Sequence, residues 1–447
     1  MQKNQVFQGT VTGLTSEGLG VTHAQGMAVF LPAVCPGDEI EFSVVKALKS
    51  YAYGRLIRVI TPSEDRVAPG CPAYPRCGGC VTRALSYPAE LAVKKRNAEE
   101  NFRKLGGLEV EAETVLSAEP DRYRNKAIFP VAEENGRLAA GFYAPRSHRV
   151  IPVSDCRLQP ADFAPLVNTI LAFGTKQGWK PYDRAGKTGD IRHIFLRKGF
   201  ATGEILVTLI VSHFHLKGIK ILADRLVGSH LAVGLTLCEN RRNDNVLLTD
   251  SFRLIAGKGS LTDRLCGLTF EVAPRSFYQV NPVMAARLYR AAEEFLEPKP
   301  DETLLDLYCG AGTIGLSMAR KFKQIIGVEI IPQAVENARE NARRNQIENA
   351  EFFCSDAGTA AAELAEKGLH PDAAVIDPPR KGCDRPCLDA LLAMAPEKIA
   401  MISCNSATAA RDAAYLTAGG YRLTRCLVAD LFPRTAHAEC AALLVRA

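Results

Sequence analysis

Four short segments in the last third of the sequence carry the side chains best suited to chemistry. They are a glycine loop, Asp306-Leu-Tyr-Cys-Gly-Ala-Gly312, then Asp377-Pro-Pro-Arg380, Ser403-Cys404-Asn405 and His437-Ala-Glu439. A glycine loop is a cradle, because absent side chains let the backbone approach a bound group. Cys404 offers a nucleophilic thiol, while Asp377 and Glu439 offer carboxylates that can attract a cation or move a proton. Together they suit transfer of a group to a carbon that becomes nucleophilic only after a thiolate has added beside it. Each segment alone also has a plainer reading: a prolyl turn at Asp377, a structural thiol at Cys404, a solvated strand end at Glu439. Cys404 and Glu439 gain weight from each other. A thiol in a loop beside polar residues and a helix start is expected to ionise readily.

The loop Gly310-Ala-Gly312-Thr-Ile-Gly315 fits a dinucleotide fingerprint, with Glu329 at the distance of a ribose-binding acid. Taken alone it favours NAD. Asp306, however, precedes the first glycine by four positions and adds negative charge where a pyrophosphate would need a positive helix end. S-adenosylmethionine carries no phosphate and bears a sulfonium and an ammonium, so the same acid would attract it. Glu329 would then hold the ribose hydroxyls and Asp356 would reach toward adenine.

The elements that must position these groups alternate between strand-like and helical patterns: Leu304 to Tyr308, Ile325 to Glu329, Ala373 to Asp377 and Ile399 to Ser403, with a helix starting at Pro332 and buried through Ala334, Val335, Ala338 and Ala342. This is a doubly wound α/β pattern with Asp377 and Cys404 at the carboxyl edge, where such sheets collect ligands. Leu423 to Leu431 and Ala438 to Val445 lie too close together for a helical crossover and must pair antiparallel. That closing hairpin resembles the class I methyltransferase fold.

Upstream, residues 5 to 62 alternate apolar and polar in short runs separated by turn signals, the pattern of a small antiparallel barrel. Lys46, Lys49, Arg55 and Arg58 interleave with Tyr51 and Tyr53, and a later acid-free window sets Arg146, His148 and Arg149 beside Phe142 and Tyr143. Cations with aromatic faces suit phosphates and unpaired bases, although a solvated face has the same composition. The segment resembles a TRAM domain, an RNA-binding barrel. Cys71, Cys77 and Cys80 then fall within ten positions, with Cys156 far downstream. Four thiolates would suit zinc or an iron-sulfur cluster equally well by ligand chemistry. From Glu111 to Phe270 strand-like and helical runs mix, as in an α+β domain. Arg122, Arg124, Lys126, Arg192, His193 and Arg197 there could line an RNA cleft or a solvated face.

At 447 residues, 47% hydrophobic and 23% charged, the chain is a folded protein of about three domains rather than a disordered or fibrous one. A net charge of +6 is too small to imply nucleic acid by itself. Neither a signal core nor a membrane-length apolar run is present, so a cytoplasmic protein without membrane contact is expected. The expected divisions are 1–66 (barrel), 67–270 (central, with the cysteine site) and 271–447 (methyltransferase).

Nearly the whole chain resembles the bacterial 23S rRNA (uracil-C5)-methyltransferases of the RumA/RlmD type. The match rests on the barrel, the cysteine set, Ser276-Phe-Tyr-Gln-Val-Asn281, the loop Tyr308 to Thr313, Asp377-Pro-Pro-Arg380, Ser403-Cys-Asn405 and His437-Ala-Glu439. The resemblance implies S-adenosylmethionine as methyl donor, contacted by Gln279, Tyr308, Gly310, Gly312, Thr313, Glu329, Asp356 and Asp377. Thr313 departs from the asparagine a relative carries there. It further implies Cys404 as nucleophile, Glu439 as general base, and a [4Fe-4S] cluster on Cys71, Cys77, Cys80 and Cys156. Phe277 or Tyr278 would stack on a single-stranded or loop uridine of 23S rRNA. A monomer acting on RNA and not DNA is expected. The alternatives are a tRNA uracil-C5 methyltransferase, an NAD-dependent oxidoreductase resting on the glycine loop alone, and a non-catalytic iron-sulfur RNA-binding protein that would leave Cys404 and Glu439 unexplained.

Overall fold

Short alternating runs at the N-terminus form a six-stranded sheet, in which Glu39–Ala47 pairs antiparallel with both Val6–Thr10 and Tyr51–Thr61. The sheet curls on itself. The Thr12 N–H reaches the Val21 carbonyl at 2.8 Å, and the Thr22 hydroxyl donates to the Thr10 carbonyl at 2.8 Å. Gly9 permits this approach, because a side chain there would meet the Thr22 hydroxyl at 2.7 Å. Inside the curl lie Val29, Leu31, Ile40, Phe42, Val44 and Ala52. Fully burying an aliphatic or aromatic side chain contributes roughly 1.5–3 kcal/mol.

The computed structural model describes residues Met1 to Ala447. The chain falls into two compact units, one comprising Met1–Pro120, Arg290–Glu297 and Ala361–Ala447, the other Asp121–Tyr289 and Pro298–Ala360.

In the first unit, the helix Tyr87–Gly106 starts on Ser86, whose hydroxyl caps the Ala89 N–H, and stops where Gly107 turns left-handed. Its buried face repeats every four residues as Glu90, Lys94, Ala98 and Phe102, so a helical stripe carries two charges inward. Ala373–Ile376 runs parallel to Lys398–Ser403. Glu439–Arg446 is then inserted between Lys398–Ser403 and Tyr421–Ala429, antiparallel to both. The expected closing hairpin is therefore present, and the strand Lys398–Ser403 ends in a turn where Asn405 caps the helix Ser406–Ala418.

In the second unit, Thr303–Leu307, Gln324–Glu329 and Ala350–Cys354 run parallel. The helix Pro332–Arg344 buries Val335, Ala338 and Ala342 as expected. A seven-stranded sheet spans Lys126 to Gly257, with a core drawn from its strands and from the helices Phe163–Gln177 and Ile219–Gly228. Its central strand Ile191–Lys198 is buried on both faces except at its last residue. This corrects the reading of its basic residues. Arg192, His193 and Arg197 are each only 5% exposed and form no solvated face; Arg192 and His193 instead edge an internal cavity. Arg197 donates to the carbonyls of Ala273 and Ser276, both at 2.6 Å, and so fixes the loop that leads to Gln279. No helix of the protein is long and apolar enough to cross a membrane.

Candidate functional site

Cys404 and Glu439 are brought together by strand register. Ser403 pairs with Cys440 across the antiparallel ladder, so one step further sets Cys404 opposite Glu439. Facing residues in such a ladder lie roughly 4.5–5.5 Å apart at Cα. Both line a cleft of about 270 Å³ with Arg380, His437, Lys94 and Asn101. Asn405 ties the turn down, its side chain donating to the Arg380 carbonyl at 3.1 Å and accepting the Ala407 N–H at 3.2 Å. Asn101 donates to Ser406 Oγ at 2.8 Å.

The electrostatics of the cleft differ from the expected activated thiol. Cys404 is half-buried, and burial pushes its thiol above the usual value; the negative charges of Glu439 and Asp377 push the same way and Arg380 opposes them. The helix start does not outweigh burial next to two carboxylates. Glu439 is 4% exposed, and burial followed by the charge of Asp377 lifts its carboxyl well above the ordinary range, against Arg380. Burial lifts Asp377 likewise. Carboxylates that hold protons more tightly are stronger bases near neutral pH.

A buried ion network braces the cleft. Lys94 Nζ meets Glu90 Oε1 and Asp430 Oδ1, both at 2.8 Å, and Tyr87 donates to Asp430 at 3.0 Å. Arg434 has φ +68°; its backbone N–H donates to Glu90 at 2.7 Å, and its carbonyl accepts the Val81 N–H at 2.9 Å. The segment just before Glu439 is thereby tied both to the helix Tyr87–Gly106 and to the end of the cysteine loop. The pattern rules applied to the sequence did not flag Lys94, Asp430 or Arg434. A signal existed: Lys94 repeats on the apolar stripe of its helix.

The cysteine loop does not support the expected cluster. Cys71, Cys77 and Cys80 are half-buried in the first unit, and Cys156 belongs to the second. Cys71 is the nearby charge that Cys77 feels, and Cys77 Sγ accepts the Gly79 N–H at 3.4 Å. No three Cys, His, Asp or Glu side chains gather anywhere into a group able to hold a metal ion. The placement of these thiols therefore does not support the expected cluster.

The second unit holds the glycine loop. Tyr308, Gly310 and Gly312 all have positive φ, at +63°, +56° and +76°; for tyrosine this is strained by about 1–3 kcal/mol, a feature that collects at ligand sites. A side chain at Gly310 would meet nothing within 4 Å, whereas one at Gly312 would press on Leu316 and Phe352. Gly310 thus offers open backbone to a ligand, while Gly312 is needed for packing. Glu329 accepts the Gly310 N–H at 3.0 Å and the Ile331 N–H at 2.9 Å. Buried Asp306 accepts the Gly315 N–H at 2.9 Å. Burial, then the charges of Asp306 and Glu329, drive the Cys309 thiol far up. A field of that sign fits a sulfonium and opposes a pyrophosphate. Thr313 Oγ1 lies 3.3 Å from the Tyr289 hydroxyl, Asp356 is exposed and caps Thr359 at 3.2 Å, and the Gln279 carbonyl accepts from Asn125 at 2.8 Å. Tyr278 is 5% exposed with its hydroxyl on Asp263 at 3.2 Å, so it has no face to offer a base. Phe277 is 66% exposed.

On the curled sheet, Lys46, Lys49 and Arg55 are exposed, but Arg58 is paired with Glu41 at 3.0 Å. Phe30 joins Tyr51 and Tyr53 in an aromatic cluster, with ring centroids 5.5 and 6.1 Å away.

Comparison with known proteins shows the family of the chain. A family described as tRNA (Uracil-5-)-methyltransferase matches residues 86–447. An uncharacterized RNA methyltransferase of Clostridium tetani is 36% identical over 441 residues, covering 98% of this chain and 96% of the relative. One from Listeria monocytogenes is 38% identical over 447 residues, covering 99% and 98%. Among solved structures, the Pyrococcus abyssi tRNA (uracil-54, C5)-methyltransferase in complex with S-adenosyl-L-homocysteine superimposes with a TM-score of 0.79 at 25% identity, covering 98% of this chain and 99% of that one.

Proposed function

Because the chain belongs to the tRNA (uracil-5-)-methyltransferase family of S-adenosylmethionine-dependent RNA methyltransferases, we propose that it methylates C5 of a uridine in 23S rRNA, with Cys404 as nucleophile and Glu439 as base. The observation that carries this reading is the register that sets Cys404 opposite Glu439 in one cleft.

Uracil C5 is a poor nucleophile until something adds at C6. Cys404 loses its proton to solvent in the open cleft, and the thiolate forms a C6–S bond, which places an enolate's electron density on C5. Bound S-adenosylmethionine supplies the electrophilic methyl group and departs as S-adenosylhomocysteine. Glu439 then takes the C5 proton, the ring double bond re-forms, and the C6–S bond breaks to return Cys404. Arg380 favours the thiolate, since its charge opposes the rise imposed by burial. Tyr308, Gly310, Gly312, Thr313, Glu329, Asp356, Gln279 and Asp377 are the proposed donor contacts; the open backbone at Gly310 and the negative field of Asp306 and Glu329 support them. Exposed Phe277 is the proposed stacking face for an extruded uracil.

The resemblance to the RumA/RlmD type supports ribosomal RNA and gives the curled sheet its TRAM-like RNA role. A second reading, transfer RNA, is favoured by the full-length likeness to the archaeal tRNA enzyme, which spans the curled sheet as well. Methyl transfer to 23S rRNA and tRNA transcripts, with 5-methyluridine mapped in each, tests the proposal. Methylation of 23S rRNA at one or a few uridines is expected. Methylation of tRNA alone would replace ribosomal RNA by the second reading, and methylation of neither would overturn the activity.

A further inference from the structure

The second unit contains a cavity of about 520 Å³ to which nothing above assigns a role. Its wall includes Tyr143, Tyr182, His148, Arg184, Arg192 and His193. The volume lies within the roughly 300–1,000 Å³ range of small-ligand sites.

Its cations are held ready for an anion. Arg192 donates to the carbonyls of Asn240 and Arg242, both at 2.8 Å, and lies 4.3 Å over the Tyr182 ring. Arg184 donates to the carbonyls of Asn243 at 2.8 Å and Asp244 at 3.1 Å, and sits 3.1 Å from the His148 ring. These partners are neutral oxygens and a ring. The acid side chains in the wall are engaged elsewhere: Asp244 pairs with Arg242, and Asp183 accepts the N–H groups of Ala185 and Gly186 at 3.1 and 2.9 Å. Neither carboxylate pairs directly with Arg184 or Arg192, although the charge of Asp244 reaches Arg192, so the two guanidinium groups of the wall are fixed in position by carbonyls and rings.

The remaining wall suits a flat polar ring. Tyr143 meets His148 and His193 edge-on, with centroids 5.4 and 6.4 Å apart, and its hydroxyl lies 3.2 Å from His193 Nε2. His193 is 5% exposed, yet its Nδ1 has no hydrogen-bond partner. Burial, then Arg192 and Arg184, hold this ring neutral, its pKa pulled down to about 3. A neutral imidazole with an unused nitrogen is costly to bury.

We propose that this cavity receives one unstacked nucleotide of the RNA substrate, its base against the tyrosine and histidine wall and its phosphate on Arg184. The inference rests on the RNA-methylating reading above and adds a recognition point outside the cleft of Cys404. The shared chemistry is a nucleoside monophosphate, and two arms of the test separate an RNA residue from a free nucleotide.

The experiment uses the full chain and a ribosomal RNA fragment that the wild type methylates, with 2-aminopurine placed singly at positions flanking the target uridine. At one flanking position, fluorescence should change on binding to wild type and not to Arg184→Ala. Arg184→Ala should raise KM for the fragment about tenfold, the usual cost of one lost charge-assisted hydrogen bond, with kcat and Tm unchanged and Arg184→Lys recovering part of the loss. An unchanged KM with Arg184→Ala, or no flanking position that responds, would overturn the site. Free AMP, UMP, GMP and CMP form the second arm. Tight binding of one of them that RNA does not displace would overturn RNA as the source. If no fragment is methylated, the activity fails and the fluorescence arm alone decides this site: a flanking position that responds to wild type and not to Arg184→Ala keeps it, and none that responds overturns it.

Discussion

Cys404 is suited to add to an electron-poor ring carbon, yet its surroundings keep its proton on. Burial and two neighbouring carboxylates oppose the thiolate, while Arg380 and, less strongly, the backbone N–H of Cys404 favour it. Arg380→Gln should therefore slow adduct formation by about tenfold at neutral pH, the thiolate being less favoured without that charge. Stopped-flow measurement across pH should show the rate recovering as the medium becomes more alkaline. Glu439 titrates the same way: its carboxyl is raised, so the ionised base appears only above the ordinary carboxylate range, and wild-type turnover should climb with pH through that region. The two residues separate by where the reaction stops. Cys404→Ala should form no covalent RNA complex, whereas Glu439→Gln should add, accept the methyl and stall as a denaturant-stable protein–RNA band, since an amide cannot take the C5 proton. Normal product release by Glu439→Gln would remove it from the role of base.

Elements explain why these side chains meet. Cys404 follows one apolar run and Glu439 opens another, which put both at strand ends in the sequence; that the run of Glu439 lies directly beside that of Cys404 was not legible, because the tight connection dictates only the pairing of the last two runs with each other. Nor was the bracing of the pair. Glu90 and Lys94 stand four apart on a helix, the spacing of an ordinary surface pair, and their burial is completed by distant residues, Asp430 on Lys94 and Arg434 on Glu90. Lys94→Met would strand two buried acids; a loss of about 3–5 kcal/mol in chemical denaturation is expected, along with a lower kcat from the displaced loop. Arg192, His193 and Arg197 misled for a related reason: basic residues in a strand suggest an outer face, but this strand lies in the middle of its sheet with both faces covered. At the base of the curled sheet, Asp38 accepts from Cys35 N at 2.6 Å, Ser63 N at 3.0 Å and Arg66 at 2.6 and 2.9 Å. Burial alone would raise its carboxyl, yet these donors win and hold it below the usual range. Its contribution is thus present above the unfolded aspartate value and is lost as pH falls through the lower folded one. Asp38→Asn should remove the acid-labile part of the wild type's thermal stability, making Tm less sensitive to pH below that value.

Across the whole molecule, RNA affinity is expected to fall with salt, because each phosphate contact releases counterions. Lys46, Lys49 and Arg55 are the exposed cations beside the aromatic cluster on the curled sheet, while Arg58 is neutralised by Glu41. Replacing the first three with Gln should weaken binding and flatten the logarithmic salt slope by about 2, at roughly 0.7 per lost contact to a single strand. Replacing Arg58 alone should change the slope less, and an unchanged slope in the triple variant would return this face to ordinary solvation. The insertion of Glu439–Arg446 between two strands made earlier in the chain has a consequence in time. Its ladder partners are distant in sequence on one side, and such pairings form late. Until that strand enters, the thiol has no facing carboxylate, so a chain can hold most of its regular structure and still be unable to complete a turnover. Refolding followed by circular dichroism and by methyl transfer should then give two separate curves, with activity the later. On the proposed mechanism this amounts to a proofreading of assembly: only a molecule whose sheet is filled would let go of the RNA it has attacked.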